Sequence, residues 1–213
     1  MAIRAQLSQE RSRLRRDELL AAAIELFAEG GSRAITHRAV AARAGLPPAT
    51  TTYYFESIDE LIRDALGAHL ESWTRELEAL AQVGLDTSLS LDDTEQFLSH
   101  VFSVRGPDVA ALELSIFLAA ARTPELRESS LRSVEAFEAL AATMLARMGL
   151  ADPAPLAATI VALLTGTAMR RQSGRYTDPA EAQLLTAAIR NLLAAHVLGP
   201  EVADHALKNL RPR

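Results

Sequence analysis

AGLPPATTTYYF, residues 44–55, decides how the first part of this chain is read. Thr50, Thr51, Thr52, Tyr53, Tyr54 and Phe55 all favour extended backbone by propensity. Their surroundings argue the other way, because Gly45 and the pair Pro47–Pro48 precede them and segments of helical period lie on both sides. A proline in the first turn of a helix removes an N–H that would be unpaired anyway, and its fixed φ suits the helix. At about 100° per residue, Pro47, Thr51, Tyr54 and Phe55 gather on one side of such a helix. Ala49, Thr50, Thr52 and Tyr53 point away, with Pro48 at the border. The first set is greasy enough to pack on Ile35, Val40 and Ala44; the second is small, hydroxyl-bearing and uncharged. A short helix over 47–54 is therefore expected.

Upstream, DELLAAAIELFA (17–28) lines up Leu20, Ile24 and Phe27, with Leu19, Ala23 and Leu26 beside them. This predicts a first helix over about 12–29, stopped at Gly30–Gly31. Thr36 suits the N-cap of a second helix, 36–44, which Gly45 ends. Short helix, glycine turn, short helix is a helix-turn-helix arrangement. Its second helix can enter the ~12 Å major groove of DNA with hydroxyls and methyls toward base edges.

Downstream, Ser57 and Glu60 make a capping-box pattern. The helix that follows keeps a stripe at Leu66, Leu70, Trp73, Leu77 and Leu80. Further helices fit 92–104, 108–121, 124–148, 153–172 and 179–198, with a short one in the tail from 201. The breaks fall at Gly84, Gly106–Pro107, Thr123–Pro124, Gly149 to Pro153, Gly174 to Pro179 and Gly199–Pro200. Nothing alternates like a strand. The expected fold is all-α, with an N-terminal three-helix domain over 1–56 and a larger helical domain over 57–213.

Of the 213 residues 49% are hydrophobic and 23% charged, which suits a folded globular chain and excludes global disorder. Without Cys, disulfides and thiolate–metal sites are excluded. The formal net charge of −5 hides an asymmetry. Residues 1–55 hold 8 Arg against 5 Asp and Glu, so 8 − 5 = +3, and the remainder holds 14 Lys and Arg against 22 acids, so 14 − 22 = −8. A basic end on an acidic body points to an anionic partner at that end alone. The charged N-terminus lacks the apolar core of a signal peptide. PAPLAATIVALLTGTAM (153–169) falls short of the ~20 residues of a membrane span. A cytoplasmic protein without membrane contact is expected. There is no HExxH, GxxxxGK[ST] or GxGxxG, and His37, His69, His100, His196 and His205 lack ligand spacing. No catalytic, cofactor or metal residue is therefore expected.

Residues 14–66 resemble the DNA-binding region of the tetracycline-repressor-like (TetR) transcriptional regulators. The matching residues are Gly31, Thr36, Val40–Ala41, Ala44–Gly45–Leu46, the 47–53 segment, Tyr54–Phe55 and Leu61, in register without a gap. AARTPELRESS (120–130) is similar to a connector found in many members. Carried over position by position, the resemblance implies that Thr36, His37 and Arg38 meet DNA from the start of the second helix. It implies a recognition surface of Pro48, Ala49, Thr50, Thr52 and Tyr53, with Arg38 best suited to a bidentate guanine contact. Three departures stand out: Thr52 where a Tyr is common, Pro47 where a Ser cap is frequent, and Ile58 where many members carry a phosphate-binding Lys. Arg11, Arg13, Arg15 and Arg16 are placed to compensate for that last loss.

The resemblance also implies a homodimer paired through the last two long helices, on a roughly palindromic operator. Leu156, Ile160, Leu163 and Thr167 form one stripe there, and Leu185, Ile189, Leu192 and His196 the other. Either stripe serves equally as core within one chain. An effector cavity is implied among the central helices, which carry Trp73, Phe97, His100, Val101, Phe102, Phe117, Phe137, Met144 and Met148. Each of these also reads as ordinary core. A small apolar or amphipathic effector is the expected ligand. The rival reading is a helical small-molecule carrier without DNA function; it leaves the basic N-terminal register unexplained.

Overall fold

The first helix, α1, runs from Ala2 to Gly30 in the computed structural model, which describes residues 2–82 and 91–208. It begins nearly three turns earlier than the expected 12, because residues 2–16 contain neither glycine nor proline and are rich in Ala, Arg, Gln and Leu. Gly31, at φ 64°, ends it, and a 3-10 turn over Gly31–Ala34 follows. Next come α2 (His37–Arg43), α3 (Ala49–Tyr54) and α4 (Ile58–Gln82). The remaining helices are α5 (Leu91–Val104), α6 (Pro107–Ala120), α7 (Arg127–Arg147), α8 (Ala154–Arg171), α9 (Asp178–Leu198) and α10 (Pro200–Lys208). No described residue lies in a strand. Gly84 and the side chain of Phe97 lie outside the described residues.

The chain forms two compact units. One comprises the chain up to Arg75 together with Leu112–Ser133; the other comprises Glu76–Ala111 and the chain from Val134 onward. In the first, Leu19, Ala23, Leu26 and Phe27 of α1 share a core with Val40, Phe55, Leu61, Leu66, Leu70 and Ile116. Thr51 and Ser133, buried there, are hydrogen-bonded as burial demands. Ser133 Oγ donates to the Ser129 carbonyl at 3.0 Å and meets Thr74 Oγ1 at 2.7 Å.

In the second unit, Leu98 and Phe102 of α5 pack with Leu145, Leu156, Ile160, Leu185, Ile189 and Leu193. Arg171, which follows the apolar run of α8, is buried there. Its guanidinium donates to the carbonyls of Phe102 at 2.7 Å and Arg105 at 2.9 Å and to Asp178 Oδ1 at 2.9 Å, and lies 4.5 Å from the Phe102 ring centroid. Glu181 is fully buried and accepts from Arg170 Nε with both oxygens. These bonds tie the end of α8 to the start of α9 and satisfy orphan carbonyls at the end of α5.

Candidate nucleic-acid interface

Thr36 caps α2 as expected from sequence, its Oγ1 accepting from the Ala39 N–H at 3.1 Å. At the other end Leu46 N–H donates to the Ala41 carbonyl and Gly45 N–H to that of Ala42. This double closure needs a left-handed residue, which Gly45 supplies at φ 66°. The turn between the two short helices is thereby fixed in shape. Arg43 pins α2 to α1 through Glu29 Oε2 at 2.9 Å and Glu25 Oε2 at 3.2 Å, and the hydrogen bond from Arg43 holds the Glu29 carboxyl below its usual range.

The segment that reads as extended by propensity is the helix α3. Pro48 holds helical angles at its N-cap, φ −55° and ψ −33°, and the Thr50 N–H closes the first turn on the Pro47 carbonyl at 2.9 Å. Thr51 is buried, donating to the carbonyls of Pro48 at 3.0 Å and His37 at 3.3 Å. Phe55 is buried and Tyr54 half-buried on the same side. Pro47, expected on that inward face, is instead exposed: it precedes the helical turn, so its side chain does not follow the helical period.

The outward set is as the period predicts. Pro48, Ala49 and Thr52 are exposed, Thr50 is half-exposed, and Tyr53 is 79% exposed with its ring edge-on to Tyr54 at 5.0 Å. Thr36 and Arg38 are exposed at the start of α2. His37 is half-buried with Nδ1 inside, and its carbonyl supports α3 by accepting from Thr51. One uncharged, hydroxyl-rich helix face thus stands beside one arginine on a rigid corner.

Ser57 caps α4, its Oγ accepting from the Glu60 N–H at 3.1 Å, while Glu60 reaches back one residue further than the capping box, to the Glu56 N–H at 2.7 Å. Ile58, in place of the family's lysine, turns partly onto the core of the first unit. Of the four arginines placed to compensate, Arg16 is committed to Asp64 and to the face of Phe55, 5.3 Å from its centroid. Arg15 pairs with Glu18 at 3.0 Å.

A family model described as "Bacterial regulatory proteins, tetR family" matches residues 19–65, and "Tetracyclin repressor-like, C-terminal domain" matches residues 86–195. The chain belongs to the TetR family of transcriptional regulators. No curated protein matches it. A TetR-family regulator from Mesorhizobium loti shares its fold, with a TM-score of 0.68 at 18% identity over 86% of this chain and 97% of the other. A transcriptional regulator from Streptomyces coelicolor A3(2) is 27% identical over 84% and 97% of the two chains, with a TM-score of 0.59. The multidrug binding protein EbrR, complexed with proflavin, is 28% identical over 84% and 99%, with a TM-score of 0.57. EbrR complexed with ethidium is 29% identical over 81% and 97%, at a TM-score of 0.57.

The residues proposed from sequence for effector and dimer contacts in this TetR-family chain divide between the units. Trp73 and Phe117 belong to the first, half-buried and edge-on at 5.5 Å. His100, Val101, Phe102, Phe137, Met144 and Met148 belong to the second. There His100 is exposed, Phe102 is buried under Arg171, and the other four are half-buried. Leu156, Ile160, Thr167, Leu185 and Ile189 are buried within a single chain and Leu163 and Leu192 half-buried against the same core; His196 is exposed. Those stripes pack inside one chain. The neighbouring stripes, Ala162, Gly166 and Met169 on α8 and Leu184, Ala187, Asn191 and Leu198 on α9, keep the same helical spacing and are the ones left exposed. Among the described residues no helix is long and apolar enough to cross a membrane, and no group of three or more His, Asp or Glu is arranged to hold a metal ion.

Proposed function

We propose that this regulator is a ligand-released repressor, neither enzyme nor carrier, that binds a palindromic operator as a cytoplasmic homodimer. Residues 1–56 read DNA in this account, and 57–213 bind effector and partner. The observation that carries it is the exposed face of α3, Ala49, Thr50, Thr52 and Tyr53, backed by buried Thr51 and Phe55 and flanked by Arg38. Nothing in a carrier requires an uncharged outward face on so rigid a corner. Arg38 takes a guanine edge, Thr50 and Thr52 take thymine methyls or phosphates, Tyr53 takes a phosphate, and Thr36, Pro48 and Ala49 fit against the backbone and bases. His37 contributes through its support of α3.

The decisive measurement is footprinting on the DNA upstream of the protein's own gene, across a salt titration. Protection of a two-fold-related site that survives competition by random duplex is expected. Its absence at low salt would favour the carrier.

The homodimer is assigned to the exposed stripes of α8 and α9, since the buried ones are already occupied. Gly166→Glu introduces a charge into such a seam, so light scattering should report monomer and operator affinity should fall. For the effector, flat cationic aromatics are the first class to try, because EbrR is complexed with proflavin and with ethidium. Trp73 is the chain's single tryptophan, so quenching of its emission reads their binding directly. A true inducer must bind more weakly in saturating operator, typically by ~5–150-fold, because the coupling is reciprocal.

A further inference from the structure

We propose that the apolar face of α10, with Val197 and Leu198 just before it, is an interaction surface whose partner is a second copy of this chain. It rests on the homodimer proposed above and extends that seam beyond α8 and α9. At about 100° per residue, Pro200, Val202, Ala203, Ala206 and Leu207 fill one half of α10, and Glu201, Asp204, His205 and Lys208 fill the other. Such a helix is built to cover something apolar with one side and to meet water with the other. Within one chain that apolar side is left open. Ala203 is half-buried and the other residues of α10 are exposed, Val202 at 51% and Leu207 at 61%. Val197 and Leu198, at the end of α9, are 73% and 60% exposed. Single exposed apolar side chains are ordinary, but four large ones within eleven residues mark a contact surface.

Area and continuity select the occupant. A stable pairing buries ~800 Å² on each partner, over roughly 20–30 residues a side. The exposed stripes of α8 and α9 supply seven side chains to the seam, and three of them, Ala162, Gly166 and Ala187, offer little to bury. The missing apolar surface lies directly downstream. Leu198 is both the last member of the α9 stripe and the residue before Gly199, whose φ of 83° turns the chain into α10. All three helices belong to the second unit. A two-fold pairing uses the same patch on both partners, so each of these apolar side chains counts twice. The polar half of α10 suits the wet rim of such an interface.

The test compares the full chain as wild type, V202Q/L207Q and G166E, by sedimentation velocity across a dilution series. Hydrogen exchange of the wild type is followed above and below its dimer dissociation constant. Circular dichroism controls for folding; Val202 and Leu207 are exposed within one chain, so the glutamine pair should keep the helical spectrum. Its dimer dissociation constant should rise roughly a hundredfold, because two apolar side chains per protomer leave the seam. Amides of α10 should be protected in the wild-type dimer and lose that protection on dilution to monomer. A wild-type constant for V202Q/L207Q while G166E is monomeric overturns this inference alone. So do α10 amides that exchange alike in dimer and monomer, which would give the face to another partner. Dimers left intact by both variants, or a wild type monomeric at every concentration, overturn it together with the proposed seam.

Discussion

Thr51 and Thr52 carry the same side chain one residue apart and do different things. Thr51 is buried, and its hydroxyl donates to the carbonyls of Pro48 and His37; Thr52 is exposed, and its hydroxyl only turns back to its own helix, on the Ala49 carbonyl at 3.1 Å. Thr51→Val, which keeps the volume and leaves two carbonyls short of a donor, should lower stability by about 1 kcal/mol in urea unfolding. Thr52→Val should leave the urea midpoint where it is and alter operator affinity instead. Arg38 tests base reading at the same scale. Arg38→Ala should cost about 1–3 kcal/mol of discrimination between operator and random DNA; discrimination equal to wild type in competition binding would remove Arg38 from the reading surface. Both threonine assignments were legible from period alone, because alternate faces of a helix follow from about 100° per residue. The hydroxyl partners were not, because they depend on where α2 lies.

At the scale of elements, the short helices are held by their ends more than by propensity. α3 is six residues of mostly β-favouring type, too short to be stable alone. It persists because Pro48 starts it, Phe55 buries its end, and the Gly45 turn sets its angle to α2. Gly45→Ala meets no steric neighbour, yet it must adopt φ 66°, so the expected cost is about 1–2 kcal/mol, read as a lower melting temperature. The tie from α1 to α2 carries a pH signature. Arg43 lowers the folded-state pKa of Glu29, so the stability it adds is present above the unfolded-state value and fades as pH falls through the folded-state one. Wild type and Glu29→Gln should thus differ most at neutral pH and converge in acid, by thermal unfolding followed across pH. Both side chains are well exposed, so the difference is small.

Across the whole molecule, the node around Arg171 holds together pieces far apart in sequence. The ends of α5 and α8 and the start of α9 meet on one guanidinium, next to the fully buried Glu181 that answers Arg170. Arg171→Met keeps bulk but strips two carbonyls and Asp178 of their donor, so a loss of about 2–4 kcal/mol is expected in denaturant unfolding. Operator contacts on the first unit should survive this change wherever the protein remains folded. A melting curve unmoved by the substitution would mean that water serves those groups as well as the arginine does.

The helical class, the caps at Thr36 and Ser57, the glycine stops and the two-faced recognition helix were all written in the chain, because each depends on residues within a turn or two of one another. Three matters were settled only by packing. α8 and α9 each carry two apolar or small stripes at the same helical spacing, and period cannot say which one faces inward; the fit against α5 turned Leu156, Ile160, Leu185 and Ile189 inside. Four neighbouring arginines are equivalent on paper until Asp64 and Phe55 claim Arg16 and leave Arg13 outside. Arg170 and Arg171 directly follow an apolar run; Arg171 became a buried tie and Arg170 a half-buried one because acids of α9 and the carbonyls of Phe102 and Arg105 closed around them. Local order is a short-range property of the backbone, whereas a side chain's partner is fixed by whatever the rest of the chain brings within about 3 Å.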